Sequence, residues 1–236
     1  MFILILIRSE TYTAELLQLI GKSVHSTLID HFNFSVVLEE SLGVNNNNNT
    51  STTSTSTTNL DKEKDNHKMY LSPGWKFSRR MLIIVTHGDA PGLWGDSVTC
   101  LNKGLHFGSV LELLNSFDLA KYAVAILHMN QGCNSFEVFD TYFREYILHS
   151  ASRGLVFLGG GSSGDGLLQY LSSRPGLVFR RRIHTLALIN TKKPYEIKGI
   201  DLNDEFMRFI RTKVIHFLSE DRCIVPAASF TTTRTI

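Results

Sequence analysis

The chain has 236 residues, 43% of them hydrophobic, which is enough to build one large α/β domain or two small ones around a sizeable core. Its formal net charge of +2 excludes the overall positive field by which many proteins attract nucleic acid or anionic membranes. Its three cysteines (Cys100, Cys133 and Cys223) are scattered and not at zinc spacing, so we expect a reducing compartment. No ligand cluster has zinc or EF-hand spacing, so no metal is expected, and no cofactor is expected either.

The first 44 residues are predicted to be a helical lead-in packed on the main domain. The opening "MFILILI" is short for a signal segment and has no charged residue before it, so it indicates a buried strand or the start of the first helix. No apolar run approaches the roughly 20 residues that cross a bilayer, so we expect a soluble intracellular protein without a membrane partner. Apolar residues then follow helical spacing over residues 10–32, at Leu16, Leu17, Ile20, Val24 and Leu28, with His31 continuing the pattern.

A polar low-complexity tract, "NNNNNTSTTSTSTTN", follows at residues 45–59 and continues into charged residues up to position 68. Such a composition cannot bury apolar surface, so the tract is predicted to be disordered. Because the 44 residues before it are too few for an independent core, an insertion at 45–68 is favoured over a domain boundary. The main domain is then predicted over residues 69–230, with a tail at 231–236.

From residue 80 onward, strand-like and helical segments alternate. The predicted strands are 80–88, 122–130, 154–159, 183–190 and 213–220, and the predicted helices are 108–117, 135–151, 165–173 and 203–212. Alternation of this kind is typical of the α/β class. We therefore predict a mostly parallel sheet with helices on both faces.

The main catalytic hypothesis rests on "GLVFLGGGSSGDGLLQYL", residues 154–171. Gly160, Ser162 and Gly164 satisfy G-x-S-x-G between a strand and a helix, which makes Ser162 a candidate nucleophile. The same letters satisfy the dinucleotide pattern G-x-G-x-x-G from Gly159, but the next strand ends without the carboxylate that such a site uses. A glycine turn without chemistry, or a small-molecule site, stays an open alternative.

Further groups of a hydrolase site are expected at the ends of other strands. His87 and Gly88 directly follow the first strand of the alternation, where α/β-hydrolases place an oxyanion-hole amide, and Ser163 would supply the second amide. Asp221 is the candidate acid and Glu220 the second choice. For the His87-Gly88 loop the alternative is a glycine turn that closes the connection, and for the loop that holds Asp221 it is a solvated loop.

A base for this serine is not found in the sequence. In hydrolases of this kind the histidine follows the acid, yet no histidine follows Asp221. The histidines after Ser162, His184 and His216, belong to strands and are predicted to be packing residues, while His128 and His149 stay weaker alternatives. A serine without a base is a weak nucleophile.

Two basic clusters are candidates for RNA contacts, "RRRIH" at 180–184 and the pair Arg79-Arg80. Neither is expected to be interleaved with exposed aromatic residues. We therefore predict solvated ends of buried strands here, and any association with RNA is expected to be indirect.

The order of these segments resembles that of the Arb-type domain family, named for the argonaute-binding subunit of a small-RNA chaperone complex. The resemblance is carried by "MLIIVTHGDAPGLWGDSV", by "LVFLGGGSSGDGLLQYL" and by "IHTLALIN", and extends to the segments flanking the polar tract. The family also includes animal cotranscriptional regulators and a domain attached to some class II histone deacetylases. Its relatives carry a small-His-Ser-aromatic-Gly-Gly turn, onto which Ser162 is matched as the serine.

The resemblance implies an α/β-hydrolase-like adaptor of small-RNA-directed silencing, heterochromatin formation or cotranscriptional regulation. It further implies protein partners in an argonaute-linked complex and a location in the nucleus or the cytoplasm. This sequence departs from the family at Gly161 and Ser163, beside the matched serine, and at Asn190, where animal relatives carry Asp. The segment with a late histidine is also absent. The sequence therefore favours a non-catalytic protein, with a serine esterase or amidase using Ser162 as the alternative.

Overall fold

The computed structural model describes residues 10–38, 68–88, 90–94, 104–117, 121–129, 135–173 and 178–217. The opening "MFILILI", the tract up to residue 67, the candidate acids Asp221 and Glu220 and the predicted tail lie outside the described residues. The domain boundaries given above therefore stay predictions.

The described residues form a seven-stranded sheet in the order β1-β2-β4-β3-β5-β6-β7. The two edge pairings β1–β2 and β2–β4 are antiparallel, whereas the four pairings that join β4, β3, β5, β6 and β7 are parallel. The strands are β1 Ser35–Leu38, β2 Lys68–Leu71, β3 Arg80–Thr86, β4 Ala123–His128, β5 Gly154–Gly160, β6 Ile183–Ile189 and β7 Val214–Phe217.

Helices connect these strands and cover them. They are α1 Glu10–Ser26, α2 Leu105–Gly108, α3 Leu111–Ser116, α4 Ser135–Tyr142, α5 Gly161–Ser173, α6 Val178–Arg182 and α7 Asp204–Lys213. Helices α1 and α4 each continue into a π-helical turn, at Thr27–His31 and Phe143–Ile147, and Pro194–Glu196 forms a 3-10 turn.

The buried residues of β3 alternate between two hydrophobic clusters, one on each face of the sheet. Met81, Ile83 and Val85 pack into the cluster that includes apolar residues of α4, α5 and α7. Leu82 and Ile84 pack into the cluster that includes residues of α1 and α3. The predicted fold class, a mostly parallel sheet with helices on both faces, is therefore confirmed.

The N-terminal helix contacts the sheet directly. Val24 of α1 and Leu28 of the π-helical turn that continues it are fully buried in the same cluster as Ile84 of β3. The imidazole Nδ1 of His25 lies 2.8 Å from the hydroxyl oxygen of Tyr70 in β2. Apolar packing and this polar contact together fix α1 against the face of the sheet.

Two differences from the sequence prediction bear on the edge of the sheet and on the candidate site. Strands β1 and β2 extend the sheet on its antiparallel side, and neither was predicted as a strand of the sheet. Helix α5 begins at Gly161, four residues before the predicted start at Asp165. This second difference matters for function, because it places Ser162 inside the first helical turn.

Candidate functional site

The candidate site lies where the carboxyl ends of β3 and β5 meet. These neighbouring parallel strands lead on to α2 and α5, and β4 flanks β3 on the other side. The chain order therefore reverses at β3, and in open α/β sheets ligands bind at such a switch point. A Cβ atom placed on Gly161 would lie 3.4 Å from Cε1 of His87. The structure thus brings the predicted histidine loop and the predicted serine turn together.

The strained residue of the turn from β5 to α5 is Gly161. Its φ of +53° lies in the left-handed region, which glycine adopts without the steric penalty of a Cβ atom. In a nucleophile elbow the catalytic residue occupies this strained strand-to-helix position. The prediction that Ser162 occupies it is wrong by one residue, because the strand ends at Gly160 and Ser162 is already the second residue of α5.

The two serines beside Gly161 have opposite environments. Ser162 is exposed and its hydroxyl makes no hydrogen bond to any described residue. Ser163 is 3% exposed, and its Oγ lies 2.7 Å from the carbonyl oxygen of Gly160 and 2.9 Å from that of Val85. The Ser163 hydroxyl therefore fastens the turn to β3. The roles of Ser162 as nucleophile and of the Gly88 and Ser163 amides as an oxyanion hole stay predictions.

The glycines that flank the turn are needed for packing. A Cβ atom on Gly159 would lie 3.0 Å from the Cα atom of Gly164. A Cβ atom on Gly164 would lie only 2.2 Å from Cγ2 of Thr191 and 3.2 Å from the Gly159 carbonyl oxygen. Because α5 approaches β5 and the end of β6 this closely, contact between backbones explains the G-x-G-x-x-G spacing without a bound phosphate.

The far side of the site is held by polar contacts at the ends of β6 and β7. Nε2 of His216 lies 2.7 Å from the Thr191 hydroxyl oxygen and 3.1 Å from the Thr191 carbonyl oxygen. Burial lowers the pKa of His216, although the hydrogen bond to the Thr191 carbonyl acts in the opposite direction. The Lys192 amide donates to Asp165 of α5 at 2.8 Å. His216 is thus a partly buried structural residue, as predicted, with its Nε2 engaged by Thr191.

The other histidines occupy different places. His184 is exposed at the start of β6, the opposite end of that strand, so the prediction that it packs in the core is wrong. His128 ends β4 and is buried beside Thr86 of β3, whereas His149 is exposed beyond the π-helical turn after α4. None of them forms a hydrogen bond with Ser162 in the part of the chain that the structure describes.

Arg180 and Arg182 of the cluster at residues 180–184 form a structural clamp, which corrects the prediction of a solvated strand end for these two residues, whereas Arg181 and His184 are exposed. The Arg182 guanidinium donates to backbone carbonyls, with Nε at 3.0 Å from Ser152 and Nη1 at 3.1 Å from Leu148. Arg180 is 7% exposed; it donates to the Leu171 carbonyl and lies 3.6 Å from a Glu205 carboxylate oxygen. Burial lowers the pKa of both arginines.

The pair Arg79-Arg80 is exposed at the start of the buried strand β3, so the prediction of a solvated strand end is confirmed for it, whereas the prediction that no exposed aromatic residue accompanies it is wrong. Phe77, two residues earlier, is 84% exposed, so an exposed aromatic side chain does accompany these arginines. The sequence did not reveal it, because the side-chain exposure of a single Phe cannot be read from a pattern of apolar residues.

Within the described ranges, no group of three His, Cys, Asp or Glu side chains could hold a metal ion. Nor does any helix in those ranges combine the length and apolar character needed to cross a bilayer.

The chain is similar to solved structures at the level of fold. A histone deacetylase from Saccharomyces cerevisiae aligns at a TM-score of 0.58 with 16% identity, over 92% of this chain and 86% of that one. The histone deacetylase Clr3 aligns at a TM-score of 0.50 with 15% identity, over 87% of this chain. The aligned part is only 31% of the Clr3 chain, so this fold spans about a third of that protein. No protein-family model matches the chain, and no curated protein sequence matches it.

The mostly parallel seven-stranded sheet with helices on both faces is consistent with these similarities. The chain has an α/β-hydrolase-like fold in which glycine occupies the strained position of the elbow.

Proposed function

We propose that the protein is a non-catalytic, hydrolase-fold adaptor that acts through protein contacts in argonaute-linked, small-RNA-directed silencing or cotranscriptional regulation. The proposal has two separate parts. The first is that the protein has no hydrolase activity, and the second is that it acts in small-RNA-directed silencing or cotranscriptional regulation. The first part is supported by the geometry of the turn after β5. The second is supported by the resemblance of the segment order to Arb-type proteins, since fold alone does not determine function.

The single observation that supports the absence of hydrolase activity is that Gly161 occupies the strained position of the elbow. A nucleophile at this position would direct its side chain toward the His87 ring, because a Cβ atom there lies 3.4 Å from Cε1. Glycine has no side chain that could act as a nucleophile. Ser162, one residue further along α5, is exposed and has no described residue as a hydrogen-bonding partner that could remove its proton.

The position of the strained residue also changes how the family motif is matched. With Gly161 at the serine of small-His-Ser-aromatic-Gly-Gly, Gly159 takes the small position, Ser163 the first glycine and Gly164 the second. Gly159 and Gly164 then fall at positions where the backbones touch. This register accounts for the small residues better than the match through Ser162 does, and it leaves the nucleophile position empty.

The adaptor role is tested by isolating the tagged full-length chain from cells of its source under native conditions. We expect an argonaute protein to be recovered and identified by mass spectrometry, and to be retained after ribonuclease treatment. Ser162→Ala is the matched variant, and it should recover the same amount because its hydroxyl is not needed for a protein contact. Failure to recover an argonaute protein, or loss of recovery in Ser162→Ala, would contradict the proposal.

A further inference from the structure

A cleft of about 720 Å³ opens at the end of the sheet opposite the elbow. It lies at the amino ends of β3, β5 and β6, and such a volume falls within the range of about 300–1,000 Å³ common for ligand sites. We call it the basic cleft. The residues that define its chemistry are Phe77, Arg79, Arg80, Tyr122, Arg153 and His184.

The charge of the basic cleft is one-sided. Arg79, Arg80 and Arg153 are all exposed, and none has a carboxylate partner among the described residues. No acidic residue of the described chain lines the cleft. Three guanidinium groups thus converge in a protein whose net charge is only +2, so the positive field is local rather than global. Guanidinium groups match the oxygens of phosphate in a bidentate geometry.

The walls of the cleft are held by hydrogen bonds around Ser78. Its hydroxyl accepts from the Ala123 amide at 3.2 Å and donates to the Arg80 carbonyl at 2.7 Å, while its carbonyl accepts from the Ser152 hydroxyl at 2.7 Å. The Arg153 amide donates to the Arg79 carbonyl at 3.0 Å. The backbone that carries Arg79 and Arg153 is therefore fixed, so less conformational entropy is lost when their side chains bind a ligand.

Aromatic groups border the arginines. Phe77 is 84% exposed, so its ring is open to a stacking partner. Tyr122 is held in place, since its ring packs 5.1 Å from that of Phe117 and its hydroxyl lies 3.4 Å from Nη1 of Arg80. Arg80 is engaged with Tyr122 in this way, which leaves Arg79 and Arg153 as the arginines free to contact a ligand.

We propose that the basic cleft binds single-stranded nucleic acid, with backbone phosphates on Arg79 and Arg153 and an unstacked base on Phe77. Guanidinium groups next to exposed aromatic rings are the combination by which proteins hold single strands, because every base has a face that can stack. In a duplex the bases stay stacked on one another, so none is available to stack on the Phe77 ring. A phosphopeptide would contact only the arginines. The proposal does not depend on the adaptor role, since the cleft and the elbow lie at opposite ends of the sheet.

The test is the fluorescence anisotropy of labelled ten-nucleotide uridine and thymidine oligomers titrated with the full-length chain at several salt concentrations. We expect binding that weakens with salt. Arg79→Gln combined with Arg153→Gln should lower affinity at least about tenfold and reduce the salt slope by about 1.4, from about 0.7 per phosphate contact on a single strand. Phe77→Ala should lower affinity at least about fivefold and leave the salt slope unchanged.

The matched control is Lys198→Gln combined with Arg208→Gln, which removes the same charge from exposed positions that do not line the cleft. It should bind as the unaltered chain does. The proposal is overturned if neither oligomer binds, if the control loses as much affinity as the cleft variant, or if a blunt duplex binds as tightly as the single strands. It is also overturned if uridine monophosphate competes as strongly as the oligomer, since the site would then be a mononucleotide pocket. Circular dichroism of each variant shows that the fold is kept.

Discussion

Ser162 and Ser163 are neighbours in the chain, yet their side chains face different surroundings. The hydroxyl of Ser163 is buried and bonded to carbonyls of two strands, whereas that of Ser162 is exposed and has no bond to a described residue. Ser163→Ala should lower the free energy of unfolding by about 1–3 kcal/mol, because the one buried hydroxyl donor shared by the Gly160 and Val85 carbonyls is lost. Ser162→Ala, the matched control, should change it by less than about 0.5 kcal/mol. Urea denaturation of both variants checks this, and equal losses would contradict the environments described.

Gly164 is predicted to tolerate no side chain unless Thr191 is shortened. Alanine in a helix is worth up to about 1 kcal/mol over glycine, but a Cβ atom 2.2 Å from Cγ2 of Thr191 should cost more than this gain. We expect Gly164→Ala to destabilise the protein by about 1–3 kcal/mol. Adding Thr191→Ser, which removes Cγ2 and keeps the hydroxyl, should restore at least half of the loss.

The measurement is a double-mutant cycle by thermal denaturation, which reports the coupling between the two positions. Gly154→Ala is the control, since a Cβ atom there meets nothing within 4 Å. Independent, additive effects of Gly164→Ala and Thr191→Ser would show that the two side chains do not meet.

His216 is predicted to make stability depend on pH. Burial holds its pKa in the folded protein below the ordinary value of 6.5, so the unfolded chain takes up the proton more readily. The stability from the neutral imidazole is therefore fully present above about pH 6.5 and is lost as the pH falls below it. The difference in free energy of unfolding between pH 8 and pH 5.5 should be smaller in His216→Asn than in the unaltered chain. Urea denaturation at both pH values measures it, and an unchanged difference would contradict the assignment.

The sequence predicted the place of the elbow but not which residue occupies its strained position. Residues 159–164 are all glycine or serine, so the pattern G-x-S-x-G selects Ser162 only because it asks for a serine. The structure selects Gly161 because a strained backbone favours the residue without a Cβ atom. A sequence motif does not show which residue has a positive φ angle, so it could not predict which residue occupies the strained position.

At the scale of elements, α4 and its π-helical turn depend on Arg182 at the end of α6. Its guanidinium donates to carbonyls of Ile147, Leu148, Ser150 and Ser152, at and just beyond the end of that turn. Arg182→Gln should lower the free energy of unfolding by about 2 kcal/mol, since hydrogen bonds from a charged donor are lost. Arg182→Lys should restore little of it because an ammonium cannot reproduce the planar fork.

The matched control for Arg182 is its exposed neighbour, Arg181→Gln, which should change stability by less than about 0.5 kcal/mol. Hydrogen exchange of amides around residues 147–152 locates the effect. Faster exchange is expected there in Arg182→Gln. Exchange that speeds up equally across the whole sheet would mean that the clamp is not local.

The sequence predicts an element when the pattern lies within the element's own residues, and not when the element depends on pairing with a distant segment. Strands β3 and β4 are continuous apolar runs buried on both faces, and their sequence alone identifies them. Strands β1 and β2 have four residues each and exist through antiparallel pairing across the polar tract. A pairing between segments separated by some thirty residues leaves no local pattern, so these strands were missed.

At the scale of the whole molecule, the two ends of the sheet have separate characters. The carboxyl ends of the strands meet at the glycine turn, where backbones pack closely and the strained position is occupied by a glycine. The amino ends surround the basic cleft, where arginines and Phe77 are exposed. Composition gave no sign of this division, because the net charge averages a local cluster over 236 residues. Only the topology, which brings residues near 77, 122, 153 and 184 together, reveals it.

The central claim is that this hydrolase-like fold lacks a working nucleophile, and intact-protein mass spectrometry after treatment with a fluorophosphonate probe tests it most directly. A known serine hydrolase labelled in the same reaction shows that the probe is active. We predict that the full-length chain keeps its unmodified mass, because Gly161 occupies the strained position of the elbow and Ser162 has no hydrogen-bonding base among the described residues. A single adduct that Ser162→Ala abolishes would contradict the account and establish Ser162 as a nucleophile.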